Sequence, residues 1–277
     1  MRVVVDSNRL QTPQLETFLA SGPSHRAVVT DWLMMEAYKG ETRQSLYKSI
    51  SVLERYPRQV IVLRNTGQCM RVRAAAQMAN RLIWTEHTET FPEFMREVRL
   101  AEAGDTAIEE SLLWRGREAS ARMDDLLSKA ALLMEGNMAM VSSLSAADVS
   151  AIRGNRIVPH DILSRVFGIA TDIAEGFRQS SEDPIPRPPM RMRNRDFLFR
   201  VGLAMTCSCL EWVRTGSPEG VKAEKVRNDY VDLMLSVYGT YFNGLMTGDA
   251  KLIRIHGLHR QLLKTIGAAL SDPYELT

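Results

Sequence analysis

Residues 2–64 alternate short β-branched runs with segments of helical periodicity, and that alternation restricts the fold more than any other feature. Arg2 to Val5 reads as a buried strand, Ala27-Val28-Val29 as a second and Val60-Ile61-Val62-Leu63 as a third. Between them Thr12-Pro13 opens a helix, with Thr as N-cap and Pro at the first position. Asp31 to Tyr38 reads as another helix, and Thr42 to Arg55 as a third, with Leu46, Ile50 and Leu53 at helical spacing and Pro57 as its stop. Short strands separated by helices need crossovers, so the sheet is expected to be mostly parallel.

After Gly67 the strand signal vanishes until Tyr241. Residues 67–84, 91–102, 105–135 and 159–179 read as helices rich in Ala, Leu, Met, Arg and Glu. Residues 183–189 form a proline-rich linker. A helix from Asp196 to Arg214, a turn at Gly216-Ser217-Pro218, a helix from Val226 to Tyr238, a fourth strand over Tyr241 to Met246 and two closing helices over Asp249 to Leu270 complete the reading. The expected organisation is an α/β core, residues 1–64 and 195–277, split by a helical insertion over 65–194.

With 277 residues there is ample material for a core. A net charge of +2 excludes a wholly basic nucleic-acid binder, so any basic surface must be local. Three cysteines are too few for a disulfide framework, and no apolar run reaches membrane-spanning length. The opening apolar run is too short for a signal peptide, and a cytoplasmic protein is expected.

Acidic residues recur at element ends. Asp6 follows the first strand, at the carboxyl edge where parallel sheets place their ligands. Glu36 interrupts the apolar turn Trp32-Leu33-Met34-Met35. Asp229 and Asp232 stand three apart at a helix start, hence on one face. Asp249 follows the fourth strand. Gathered together, such acids repel one another unless cations neutralise them. Carboxylate oxygens suit one or two Mg²⁺ or Mn²⁺ with positions left for phosphate, and two ions roughly 3.5–4 Å apart suit phosphodiester hydrolysis.

Val3-Val4-Val5-Asp6-Ser7-Asn8, Glu36 in the second helix, Asn228-Asp229-Tyr230-Val231-Asp232 and Leu245-Met246-Thr247-Gly248-Asp249-Ala250-Lys251-Leu252 together resemble a PIN-domain nuclease. The resemblance covers about residues 1–64 and 220–270. It implies a three-layer α/β/α core with a central, mostly parallel sheet, here carrying a large all-α insertion. It further implies a Mg²⁺- or Mn²⁺-dependent endoribonuclease that leaves 5′-phosphate and 3′-hydroxyl ends, with DNA as a second possible substrate. In bacteria such enzymes serve as toxins or defence effectors. Asp6 matches the first acid, Glu36 the second, Asp229 or Asp232 the third and Asp249 the fourth; Ser7 and Asn228 fall where they can orient acids or water. The alternative is a catalytically weak module that binds RNA or a protein through the insertion. A flap-type DNA nuclease fits less well, since no helix-hairpin-helix motif is found.

Lys251, two residues past Asp249, is a candidate phosphate contact, and so are Arg227 and Lys225, which belong to a basic stretch over 185–227 that includes Arg191, Arg193, Arg195, Arg200 and Lys222. Cys207-Ser208-Cys209 lacks chelating spacing and reads as core. His256 and His259 read as surface or packing residues, and Met134, Met138 and Met140 as adaptable core or interface. That Met-rich insertion leads to the expectation of a homodimer or a protein partner.

Overall fold

The computed structural model describes residues 1–38, 42–128, 135, 139–142, 144–154, 160–216 and 222–274. Four parallel strands, β1 (Arg2–Val5), β2 (Arg26–Val29), β3 (Val60–Val62) and β4 (Leu245–Met246), lie in the order β3-β2-β1-β4. Val3, Val4 and Val5 are all fully buried, as are Ala27, Val28 and Val29. Successive residues point to opposite faces, so the sheet is covered on both, and its strands read as unbroken apolar runs for that reason. Val4 sits beside Val28 on one side and Leu245 on the other. The expected α/β class with a mostly parallel sheet is therefore observed.

The first three helices fall where periodicity puts them: α1 (Pro13–Ala20), α2 (Asp31–Ala37) and α3 (Thr42–Arg55). Thr30 caps α2 by accepting from the Leu33 amide. The single helix expected over 67–84 is instead α4 (Thr66–Met70) and α5 (Met78–Leu82). Asn65 and Gln68 form a capping box at α4. Further on, the chain turns back to lay Ile83 against Leu63 in an isolated antiparallel bridge, and the Trp84 amide donates to Val62 O at 2.9 Å. Pairing with the end of β3 overrides helix propensity there.

Then come α6 (Thr85–Glu89), α7 (Phe91–Glu102), α8 (Thr106–Ser128), α9 (Ala146–Arg153) and α10 (His160–Gln179). No sheet strand lies between β3 and β4 among the described residues, as expected. The described helices do not gather into one bundle beside the sheet. Phe91, Met95, Val98, Leu112, Ala119 and Met123 enter the same core as the strands, whereas Ile162, Val166 and Ala170 of α10 belong to a second cluster.

That second cluster is built on α11 (Phe197–Thr215) and α13 (Ala250–Thr265), with α12 (Ala223–Gly239) between them in sequence. A Cβ on Gly202 would lie 2.3 Å from Ala170 O, so α10 and α11 approach at a point where only glycine fits. The proline-rich linker is neither helix nor strand and gives way to a 3₁₀ turn, Met190–Arg195. The fourth strand is shorter than expected. The Tyr241 and Phe242 amides are spent on Tyr238 O and Gly239 O at the end of α12, and Gly244, at φ 98°, turns the chain into β4. The two closing helices are one: Leu252, Ile255, His259, Leu262 and Leu263 keep a single buried face through Gly257. Among the described residues no helix is long and apolar enough to cross a membrane. Residues 217 and 218 of the expected turn, and Met134 and Met138, lie outside the described residues.

Candidate functional site

Strand order makes a crevice. The chain runs from β1 outward to β2 and β3, then returns to pair β4 on the other side of β1. The carboxyl ends of β1 and β4 therefore flank a topological switch point, where open parallel sheets hold ligands. Asp6 leaves β1 there and Asp249 follows β4.

Asp6 is buried, and its carboxylate is held by three side chains. Thr247 Oγ1 donates to Oδ2 at 2.5 Å, Asn8 Nδ2 to Oδ2 at 2.6 Å, and Ser7 Oγ to Oδ1 at 3.4 Å. Asn8 also accepts from the Gly248 amide at 2.9 Å, and Thr247 Oγ1 accepts from the Asp249 amide at 3.0 Å. Arg9 donates to Thr247 O at 3.3 Å beneath Gly248, where a Cβ would come within 3.3 Å of the guanidinium. The turns after β1 and β4 are thus laced together. Asp249 caps α13, its Oδ1 accepting from the Lys251 amide at 2.6 Å and the Leu252 amide at 2.9 Å.

Asp232 lies half-buried on α12. Burial, then the charges of Asp6, Asp249, Asp229 and Glu36, push its carboxyl up to about 7. The other four acids named from the sequence therefore all act on Asp232 in the fold. Charge interaction reaches further than coordination does. Among the described residues no three His, Cys, Asp or Glu side chains stand grouped to hold a metal ion as they are placed. The donor set is nevertheless all carboxylate oxygen, which fits a hard divalent cation and not a soft one.

Asp229 differs from Asp232. Lys251 Nζ lies 2.7 Å from its Oδ2 and Lys225 Nζ 3.5 Å from its Oδ1. Lys251 also sits over the Trp212 ring, 5.8 Å from its centre. Arg227 is buried and donates to Asn228 Oδ1 at 3.1 Å. Two of the three expected phosphate contacts thus neutralise Asp229, and the third holds Asn228, which bonds to no acid among the described residues. Ser7, by contrast, touches Asp6. Arg200, from the basic stretch, is internal: it donates to Thr240 O at 2.8 Å and to Asn194 O at 2.9 Å.

The sequence gives no role to Arg9, and names Asn8 and Thr247 only as members of the motifs; a short polar run directly after each strand is the signal they leave. Asp31, also unremarked, follows β2 and accepts from the Thr66 amide at 2.7 Å, with burial raising its carboxyl above the usual range. Cys207 and Cys209 are buried in α11, as expected. His256 and His259 are buried around Ser236 Oγ, 3.2 Å from each Nδ1, and burial holds His256 down at about 4. Comparison with protein-family models, curated proteins and solved structures gives no match for this chain.

Proposed function

We propose that the acids at the β1–β4 crevice hold one or two Mg²⁺ or Mn²⁺ and that the protein is a PIN-type nuclease, cutting phosphodiester bonds in RNA. The observation that carries this reading is the crevice itself: Asp6 and Asp249 follow the paired strands β1 and β4, and their charges, with those of Asp229 and Glu36, add to burial in pushing the Asp232 carboxyl up to about 7. A cluster that repels itself this strongly is costly unless a cation resides in it. Its place at the switch point and its order along the chain, Asp6, Glu36, Asp232, Asp249, both match the resemblance. RNA as the substrate follows from that resemblance.

Asp6, Glu36, Asp232 and Asp249 would hold the metal. Bound there, the ions supply the positive charge that activates water and stabilises a leaving oxygen. The chain's own residues do the rest. Thr247, Asn8 and Ser7 orient the Asp6 carboxylate. Asp249 spends Oδ1 on the start of α13, which leaves Oδ2 for the crevice. Asp232 keeps a proton near neutrality while the cluster is uncompensated, and gives it up when positive charge arrives. Lys251 and Lys225 balance Asp229 and limit the repulsion.

The test is cleavage of a single-stranded RNA, and of a DNA of the same sequence, with Mn²⁺ or with excess chelator. Asp6→Asn and Asp249→Asn are expected to lose activity. Cleavage in chelator, or full activity in both variants, overturns the reading. Tight RNA binding without cutting under any metal would make the protein a binding module.

A further inference from the structure

Helix α2 has two occupied faces. Trp32 and Glu36 turn one way, Trp32 packing edge-on to Tyr230 with ring centres 5.8 Å apart and Glu36 acting on Asp232. Asp31, Met34, Met35 and Tyr38, at the complementary helical positions, line a separate cavity of about 650 Å³. That volume falls within the range of small-molecule sites, on the order of 300–1,000 Å³.

The cavity lies at the carboxyl ends of β2 and β3, with Thr30, Asp31 and Leu63 at its floor. Its walls are aromatic: Tyr38, Trp84, Phe91, Phe94 and Trp114. The lining charge is acidic, since Asp31, Glu93, Glu97 and Glu118 outnumber Arg115 and Arg122. Arg115 is moreover engaged, 5.8 Å from the centre of the Phe94 ring. At the floor Asp31 Oδ1 accepts from the Trp32 amide and Thr66 Oγ1, both at 3.1 Å, and Oδ2 accepts from the Thr66 amide at 2.7 Å. Asp31 lines the cavity, so its charge reaches the interior beside those of Glu93, Glu97 and Glu118. Aromatic faces under an acidic field attract organic cations, and the same field repels phosphate.

We propose that this cavity binds a small organic cation, an ammonium group carried on a flat apolar body. The ammonium meets Asp31 and the acidic rim, and the flat body lies among the aromatic rings. This site is independent of the acids at the β1–β4 crevice and of the nuclease reading.

Three probes of one shape and different charge test it by isothermal titration into the full chain: 2-naphthylmethylamine, 2-naphthylmethanol and 2-naphthoate. The amine is expected to bind at least about tenfold more tightly than the alcohol, and the carboxylate not to bind. Asp31→Asn should remove most of the amine's advantage. Trp114→Ala, at a half-exposed position that tolerates truncation, should weaken amine and alcohol alike, which keeps the test open if the Asp31 variant fails to fold. Asp232→Asn should leave the amine unaffected. Equal binding of all three probes, preference for the carboxylate, indifference to Trp114→Ala, or loss of the amine in Asp232→Asn each overturns the proposal.

Discussion

Lys251 Nζ stands 2.7 Å from Asp229 Oδ2, and this ion pair separates two acids that look equivalent in the sequence. The contact is close but off-axis, an ion pair without hydrogen-bond geometry. No cation pairs with Asp232 among the described residues, and it takes up the field of the other four acids instead. Asp232→Asn is expected to lower Mn²⁺-dependent RNA cleavage by at least about 100-fold, and Asp229→Asn by less than about tenfold. Initial rates at saturating Mn²⁺ decide between them; the reverse order would make Asp229 the ligand.

The raised carboxyl of Asp232 also sets a pH dependence for the metal-free protein. Folded, the group holds its proton up to about 7; unfolded, it loses it near the ordinary carboxylate value of 3.8. Between those values the folded state binds more protons at this group, so its contribution to stability falls as pH rises from 4 to 7 and is flat above, while His256, held down at about 4 by burial, slopes the other way below 6.5. The loss is on the order of 2–4 kcal/mol. Asp232→Asn should abolish this slope and raise the melting temperature of the chelated protein at pH 8 by roughly 5–10 °C. Added Mn²⁺ should stabilise the wild type more at pH 8 than at pH 6. The difference between the Asp232→Asn and wild-type melting temperatures in chelator isolates the group from His256, and a difference no larger at pH 8 than at pH 5 would refute this.

Asp249 has two duties that can be separated. Its Oδ1 caps α13 while its charge acts in the crevice. Asp249→Ala should cost about 1 kcal/mol in denaturant unfolding from the lost cap. Asp249→Ser should restore most of that stability and none of the cleavage. Cleavage restored by serine would leave the residue a cap alone.

Gly202 tests the helix contact behind the site. A Cβ there would fall 2.3 Å from Ala170 O, and the neighbour is backbone that cannot swing aside. Gly202→Ala should destabilise by about 1–3 kcal/mol or more, against the usual gain from removing a helical glycine. Urea unfolding of Gly202→Ala with Gly257→Ala as the comparison makes the check, since nothing lies within 4 Å of a Cβ at Gly257.

The strands β1 to β3 and the helices α1 to α3 were legible because burial on both faces writes strands as apolar runs and because helices buried on one side repeat their apolar residues every three to four positions, as Leu46, Ile50 and Leu53 do in α3. The run from Gly67 to Trp84 misled because an Ala-rich composition says helix, while the pairing of Ile83 with Leu63 is a long-range event that leaves no local mark. Tyr241 and Phe242 misled for the opposite reason: aromatic residues favour strands, but their amides close the end of α12. At the site the five acids were visible as acids at element ends. What the sequence could not carry was their inequality. That depends on which lysine reaches which carboxylate, and on Asn8 and Thr247 locking two turns that lie 239 residues apart.

Joining β1 to β4 has a consequence for the order of synthesis. Asp6 leaves the ribosome ahead of Asp232 and Asp249, which follow only after more than two hundred further residues have been added. At translation rates of about 5–20 residues per second, that delay is roughly ten to forty-five seconds. Until β4 docks, the first strand has a bare edge and the crevice has no far wall. A growing chain therefore carries Asp6 and Glu36 in a half-built crevice until β4 arrives.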